Sequence, residues 1–175
     1  MEHFDVTQAP LEGVHLVEAN AGTGKTFNIS SLVVRLIAEG ALDLKNILVL
    51  TFTEAATTEL RARIQHRCRE VLELFDVEND AEVTEKTKED NFLDYCKTRY
   101  EQDFKAQKCL QEAVTTFDEA NISTIHGFCQ GLLRSYPFQF NVRPDFELVP
   151  NPSLFILEII REFWRVFYAP TDHRM

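Results

Sequence analysis

The sequence has no cysteines at metal-ligand or redox spacing. Cys68, Cys96, Cys109 and Cys129 are scattered, with no C-x-x-C pair. That argues against a zinc site and against a disulfide framework stapling a small fold. Long apolar runs are missing too. None reaches the roughly 18 residues of a membrane-spanning helix, so no membrane partner is expected. Met1 to Pro10 carries acids and no apolar stretch, so it does not read as a secretory leader. A reduced, cytoplasmic location is the expectation.

Basic residues are in deficit. Eighteen Lys and Arg face 28 Asp and Glu, for a net charge of −10. A general nucleic-acid binder should be basic. The deficit is local, however. Between Glu70 and Asp103 stand twelve acids and four bases, and the rest of the chain carries a net charge of only about −2. The stretch Arg61 to Arg69 is locally basic. It reads more readily as a solvated helix face than as a nucleic-acid groove.

A hydrophobic content of 45% and an aromatic content of 11% allow a packed core. At 175 residues the chain can form one domain, or one domain and part of another.

The most informative stretch is Ala19-Asn20-Ala21-Gly22-Thr23-Gly24-Lys25-Thr26. It follows the apolar run Val14 to Val17, expected as a strand, and opens a helical pattern. Strand, glycine-rich turn and helix form the context of a phosphate-binding loop. Gly22 and Gly24 allow positive φ and close approach to an anion. Successive backbone N–H groups then converge at a helix start. Lys25 supplies a cation for the β- and γ-phosphates of ATP, and Thr26 a hydroxyl for Mg²⁺. Ala19 stands where the usual pattern G-x-x-x-x-G-K-[ST] has its first glycine. A chance Gly-Lys-Thr in a surface turn is the alternative, and the flanking patterns argue against it.

Residues 1–13 read as an irregular lead-in. Gln8 is the only candidate there for reading adenine, in poor context, so base recognition is unassigned. Ile29, Leu32, Val33, Leu36 and Ile37 predict an amphipathic helix ending near Gly40. Ile47 to Leu50 predicts a strand buried on both faces, as in a parallel sheet. Thr53 is placed to cap a helix whose stripe runs Ala56, Leu60, Ile64, Cys68, Val71, Leu72 and Phe75. Residues 76–104 read as a weakly periodic surface insert, followed by a helix from about Phe104 to Phe117. Ile122 to Ile125 predicts a short strand end, with helical spacing from Ile125 to Tyr136. Four of the six prolines lie between Pro137 and Pro152 and mark a connection. Ser153 to Tyr168 is apolar almost all round, and such a helix is expected to be covered on most sides.

Three stretches together resemble the RecB-like branch of superfamily 1 helicases. Ala19 to Thr26 looks like motif I. Leu50-Thr51-Phe52-Thr53-Glu54-Ala55-Ala56 looks like motif Ia. Thr124-Ile125-His126-Gly127-Phe128 looks like motif Ib. The resemblance runs from about Leu11 to Trp164, and the long spacing between motifs Ia and Ib suits that branch. It implies an α/β fold of the P-loop NTPase (RecA-like) type, a three-layer parallel sheet, incomplete here. Residues 1–136 would form the first part of the motor domain, with a helical acidic insert at about 70–117. Residues 137–152 would connect to the start of a helical subdomain at 153–175.

The resemblance further implies ATP and Mg²⁺ as cofactors, with Lys25 catalytic and Ala19 to Thr26 holding ATP. It implies 3′–5′ helicase and exonuclease activity in the longer protein, acting on DNA ends in double-strand break repair beside RecC- and RecD-like subunits. The chain alone, ending before the acidic motif that hydrolysis needs, is expected neither to unwind nor to cleave DNA. Phe52, Thr53, Thr124 and His126 would line a DNA strand. From the residues alone, Phe52 is equally a core candidate and His126 equally a helix cap. Asp118-Glu119 resembles an acidic Mg²⁺ pair, but lacks the preceding apolar strand and stands before motif Ib. A UvrD- or AddA-type helicase is the nearest alternative. A nucleotide-binding assembly module is the non-enzymatic one.

Overall fold

A computed structural model describes residues 4–20, 22–40, 42–75, 87, 90–147, 149 and 151–168. Chain contacts divide it into two units, Met1–Gln130 and Gly131–Met175.

The first unit is mixed α/β. Its helices are α1 (Lys25–Ala38), α2 (Glu54–Glu73), α3 (Asn91–Tyr100) and α4 (Phe104–Thr115), and α5 (Ile125–Ser135) begins in it. Its strands are β1 (Leu48–Thr51) and β2 (Asn121–Thr124). These two pair in parallel, with Leu48 opposite Asn121 and Thr51 opposite Thr124. The α2–α3–α4 segment makes the crossover that a parallel pair requires. Helix α2 packs on both strands, and α1 packs on α2 and α4. The core between them includes Val34, Ile37, Ile64, Cys68, Val71, Phe92, Cys96, Tyr100 and Leu110.

Several expectations change here. Val14 to Val17 forms no strand. Val14 and Leu16 are 100% and 88% exposed. An apolar run becomes a strand only where a neighbour satisfies its backbone groups, and no described residue pairs with this one. β1 is not buried on both faces. Leu48 and Leu50 are exposed, while Val49 on the opposite face packs against the core. Helices of the first unit cover that one face. In α1 the expected Val33 and Ile37 are buried and Leu32 and Leu36 pack against the core, but Ile29 is exposed and the buried face widens to Ser30 and Val34. In α2 Thr57 is buried and Ala56 is exposed. The Thr57 hydroxyl is satisfied by Thr53 O at 3.1 Å and Thr51 Oγ1 at 2.6 Å, which makes its burial cheap.

The insert is less superficial than its composition suggests. Residues 76–86, 88 and 89 lie outside the described residues. Helix α3 carries Phe92, Leu93, Cys96 and Tyr100 into the core. Asp90 and Asp103 cap α3 and α4, Oδ1 of each accepting first-turn amides at 2.9–3.1 Å.

The second unit holds a turn-rich segment and α6 (Ser153–Phe167). Asn151 Oδ1 accepts the Ser153 amide at 3.0 Å and opens the helix. Every residue from Ser153 to Tyr168 is exposed, against the expectation of a covered helix. Glu158, Arg161, Glu162 and Arg165 fall at i, i+3, i+4 and i+7, so a polar stripe runs along it. The helix is therefore two-sided rather than apolar all round.

Candidate nucleotide-binding site

The glycine loop takes the shape its residue types dictate. Gly22 and Gly24 both sit at φ +79°, in the left-handed region. A Cβ at either would meet nothing within 4 Å, so backbone conformation rather than crowding demands glycine. Gly24 is the N-cap of α1, with no side-chain cap. The first-turn amides of α1 are thereby left for an external acceptor. Lys25 Nζ donates to the carbonyls of Ala19 at 3.0 Å and Asn20 at 2.5 Å, and Thr23 Oγ1 donates to Asn20 O at 2.7 Å. The ammonium thus lies over its own loop, beside the helix start. Asn20, Gly22, Thr23, Gly24 and Lys25 are exposed and Thr26 is half-buried. Ala21 lies outside the described residues. A triphosphate fits this donor set, with converging amides, one lysine and one threonine hydroxyl beside it.

The residues expected to line DNA gather at the carboxyl ends of the parallel strands. Phe52 and Thr53 follow β1, and Thr124 and His126 end β2 and open α5. Phe52 is 86% exposed, which removes its core reading. Thr53 is the N-cap of α2, its Oγ1 accepting the Ala56 amide at 3.1 Å. Thr124 is buried. Its Oγ1 donates to Glu54 Oε1 at 3.1 Å and accepts the Gly127 amide at 3.0 Å. The cap of α5 is therefore Thr124 and not His126, which is exposed. The Glu54–Thr124 bond ties the two strand ends together, a link that sequence spacing did not disclose.

Sequence reasoning also missed how the arginines are used. Arg61 Nη2 donates to Ala120 O at 3.1 Å and Ile122 O at 3.2 Å. Arg67 is buried, with Nη1 2.7 Å from Asp90 Oδ2. Arg35, also buried, donates to Val6 O and Ala9 O, each at 2.7 Å, and pairs with Glu39. Glu39 Oε1 further accepts the hydroxyls of Tyr95 at 2.9 Å and Tyr100 at 2.7 Å. Burial works to raise the Glu39 carboxyl, but the bonds from Arg35, Tyr100 and Tyr95 outweigh it and hold it below its usual value. Burial first, then the bond to Glu39, pushes both tyrosine hydroxyls up. Desolvation raises Cys68 to about 12, so that thiol is inert.

The family profile of the UvrD/REP helicase N-terminal domain matches residues 2–165. The chain belongs to the UvrD/REP helicase family. Within it, the chain is similar to "RecBCD enzyme subunit RecB" of Escherichia coli (strain K12), 38% identical over 94% of this chain and 14% of that protein. It is 35% identical to the subunit of the same name from Haemophilus influenzae, over 93% of this chain and 14% of that protein. The Chlamydia trachomatis subunit of that name is 34% identical over 99% of this chain and 17% of its own length. The chain thus spans about one seventh to one sixth of the length of these relatives. None of the helices among the described residues is long and apolar enough to cross a membrane.

Proposed function

We propose that this chain is the ATP-binding segment of a RecB-like subunit in an ATP-dependent DNA helicase–nuclease. The observation that carries this is the loop, two left-handed glycines leading into α1 with Lys25 and Thr26 at its start. Ala19 to Thr26 hold ATP, the backbone amides of the loop cradling its phosphates. Lys25 contacts the β- and γ-phosphates and is the residue on which catalysis depends. Thr26 gives its hydroxyl to the Mg²⁺ that accompanies ATP. Residues 1–136 serve as a RecA-like segment, within a three-layer sheet in the whole protein, and 137–152 connect it to a helical part at 153–175.

Phe52, Thr53, Thr124 and His126 track a DNA strand. Exposed Phe52 offers a stacking face and His126 a ring, while Thr53 and Thr124 set the loops that carry them. In the full protein this arrangement supports unwinding with 3′–5′ polarity. Exonuclease action on DNA ends, RecC- and RecD-like partners and a cytoplasmic location complete the reading.

The test is titration of the chain with a fluorescent ATP analogue and Mg²⁺, beside Lys25→Ala. Losing a charge-assisted bond should weaken binding at least about tenfold, with helical circular dichroism unchanged. Equal binding by both proteins would sink the assignment of Lys25. For the DNA contacts, Phe52→Ala in the full protein should raise the DNA concentration that half-saturates ATPase activity.

A further inference from the structure

The glycine loop is held by side-chain bonds from Lys25 and Thr23 to the carbonyls of Ala19 and Asn20, all within the loop and the start of α1. It is exposed, it has no side-chain cap, and both glycine Cβ positions face open space. A further hold from the rest of the unit can act through the first turn of α1. Two residues after Lys25, Phe27 is packed there. The Arg67 guanidinium lies 4.4 Å from the Phe27 ring centroid and 5.6 Å from that of Phe92. The two rings meet edge to face at 6.5 Å. Arg67 is itself oriented by Asp90, at 2.7 Å, and by Glu70, at 3.3 Å. Asp90 in turn caps α3, its Oδ1 accepting the Phe92 amide at 2.9 Å.

A guanidinium held between carboxylates is planar and fixed, so its face can stack on a ring without losing its hydrogen bonds. Arg67 therefore joins three elements: α2 that bears it, α3 that it caps through Asp90, and the start of α1. It stands fourteen residues along α2 from Thr53, about 21 Å at the helical rise. The same helix thus begins at the strand ends and meets the first turn of α1 at Phe27.

We infer that Arg67 is a positioning residue for the nucleotide loop, acting through Phe27. It sets the first turn of α1 and so the direction of the Lys25 and Thr26 side chains. This rests on the ATP reading of the loop given above.

The experiment compares the chain with Arg67→Met, Arg67→Lys, Phe27→Leu and the Arg67→Met/Phe27→Leu double variant. Affinity for a fluorescent ATP analogue with Mg²⁺ is measured under conditions where unfolding curves show each variant folded. Arg67→Met and Phe27→Leu should each weaken binding about three- to thirtyfold, the range of a cation–π contact between a buried guanidinium and a partly exposed ring. The double variant should be no weaker than the worse single one, because both remove the same contact. Arg67→Lys keeps the ion pair and a cation near the ring but loses the planar stack, so its loss should be smaller than that of Arg67→Met. Hydrogen exchange gives a second reading without any ligand. Arg67→Met should speed exchange at the amides of Asn28 to Ser30 and leave those of Ile64 to Val71 protected.

Lower stability with unchanged affinity and uniformly faster exchange would overturn the inference and leave Arg67 a structural residue. Additive effects in the double variant would also overturn it. Absence of nucleotide binding by the unsubstituted chain would instead sink the ATP reading. The exchange pattern would still decide whether Arg67 holds the loop.

Discussion

Gly24 concentrates what the loop needs. Its φ of +79° costs a residue with a Cβ about 1–2 kcal/mol, although nothing stands within 4 Å of that Cβ. Gly24→Ala should therefore lower nucleotide affinity more than it lowers the thermal midpoint. Unchanged affinity with a lower midpoint would show that the loop's shape is dispensable. Gly40 is the opposite case. Its φ is not positive, but a Cβ would lie 2.6 Å from Leu36 O. Here the contact with backbone demands glycine, and Gly40→Ala should destabilise the chain without touching the loop. Gly22, Gly24, Lys25 and Thr26 were legible because conformation and charge are written in the residue type. The jobs of Thr124 and Arg67 were not, because their partners Glu54 and Asp90 are distant or unremarkable in sequence.

At the scale of elements, α1 is held at both ends by α3. Phe27 meets Phe92 at one end, and Glu39 meets Tyr95 and Tyr100 at the other. Arg35 adds the lead-in through Val6 O and Ala9 O. Losing the charged acceptor in Glu39→Gln should cost about 1.5–3 kcal/mol at neutral pH, read from urea midpoints. The sign of its pH dependence follows from the depressed carboxyl. Its stabilisation is fully present above the usual glutamate value of 4.5 and is lost as pH falls through the lower folded value. The gap between the unsubstituted chain and Glu39→Gln should hold from pH 7 to about pH 5 and narrow in more acid solution. A gap that widened on acidification would contradict the network. Helix positions and most of both stripes were readable from 3.6-residue spacing, yet the first turns were misjudged, with Ser30 and Thr57 buried where Ile29 and Ala56 were expected. Buried Ser30 and Thr57 look polar in sequence, and their hydroxyls are satisfied by Phe27 O and Thr53 O.

Over the whole molecule, apolar surface is distributed unevenly. The first unit closes a core on one side of a two-stranded sheet and leaves Leu48, Leu50 and Phe52 exposed. In the second, α6 exposes its apolar arc. The chain's one tryptophan, Trp164, is 57% exposed there, with Tyr168 as ring neighbour at 4.5 Å. Its fluorescence should be that of a solvated indole, quenched by acrylamide nearly as well in the native chain as in urea. A blue-shifted, protected emission would mean that the apolar arc of α6 is covered in solution.

Local chemistry was enough to determine the left-handed glycine turn before α1, most of the helical segments, the strands β1 and β2 and the family likeness, because glycine, proline, caps and periodicity act within a few residues. Tertiary structure alone decided that Val14 to Val17 pairs with no described strand, that α3 enters the core, and that Arg67, in a stretch whose Arg63 and Arg69 are solvated, is buried. A strand needs a neighbour, and a buried charge needs a partner. Both are supplied by segments remote in sequence, such as Asp90 for Arg67 and Val6 for Arg35.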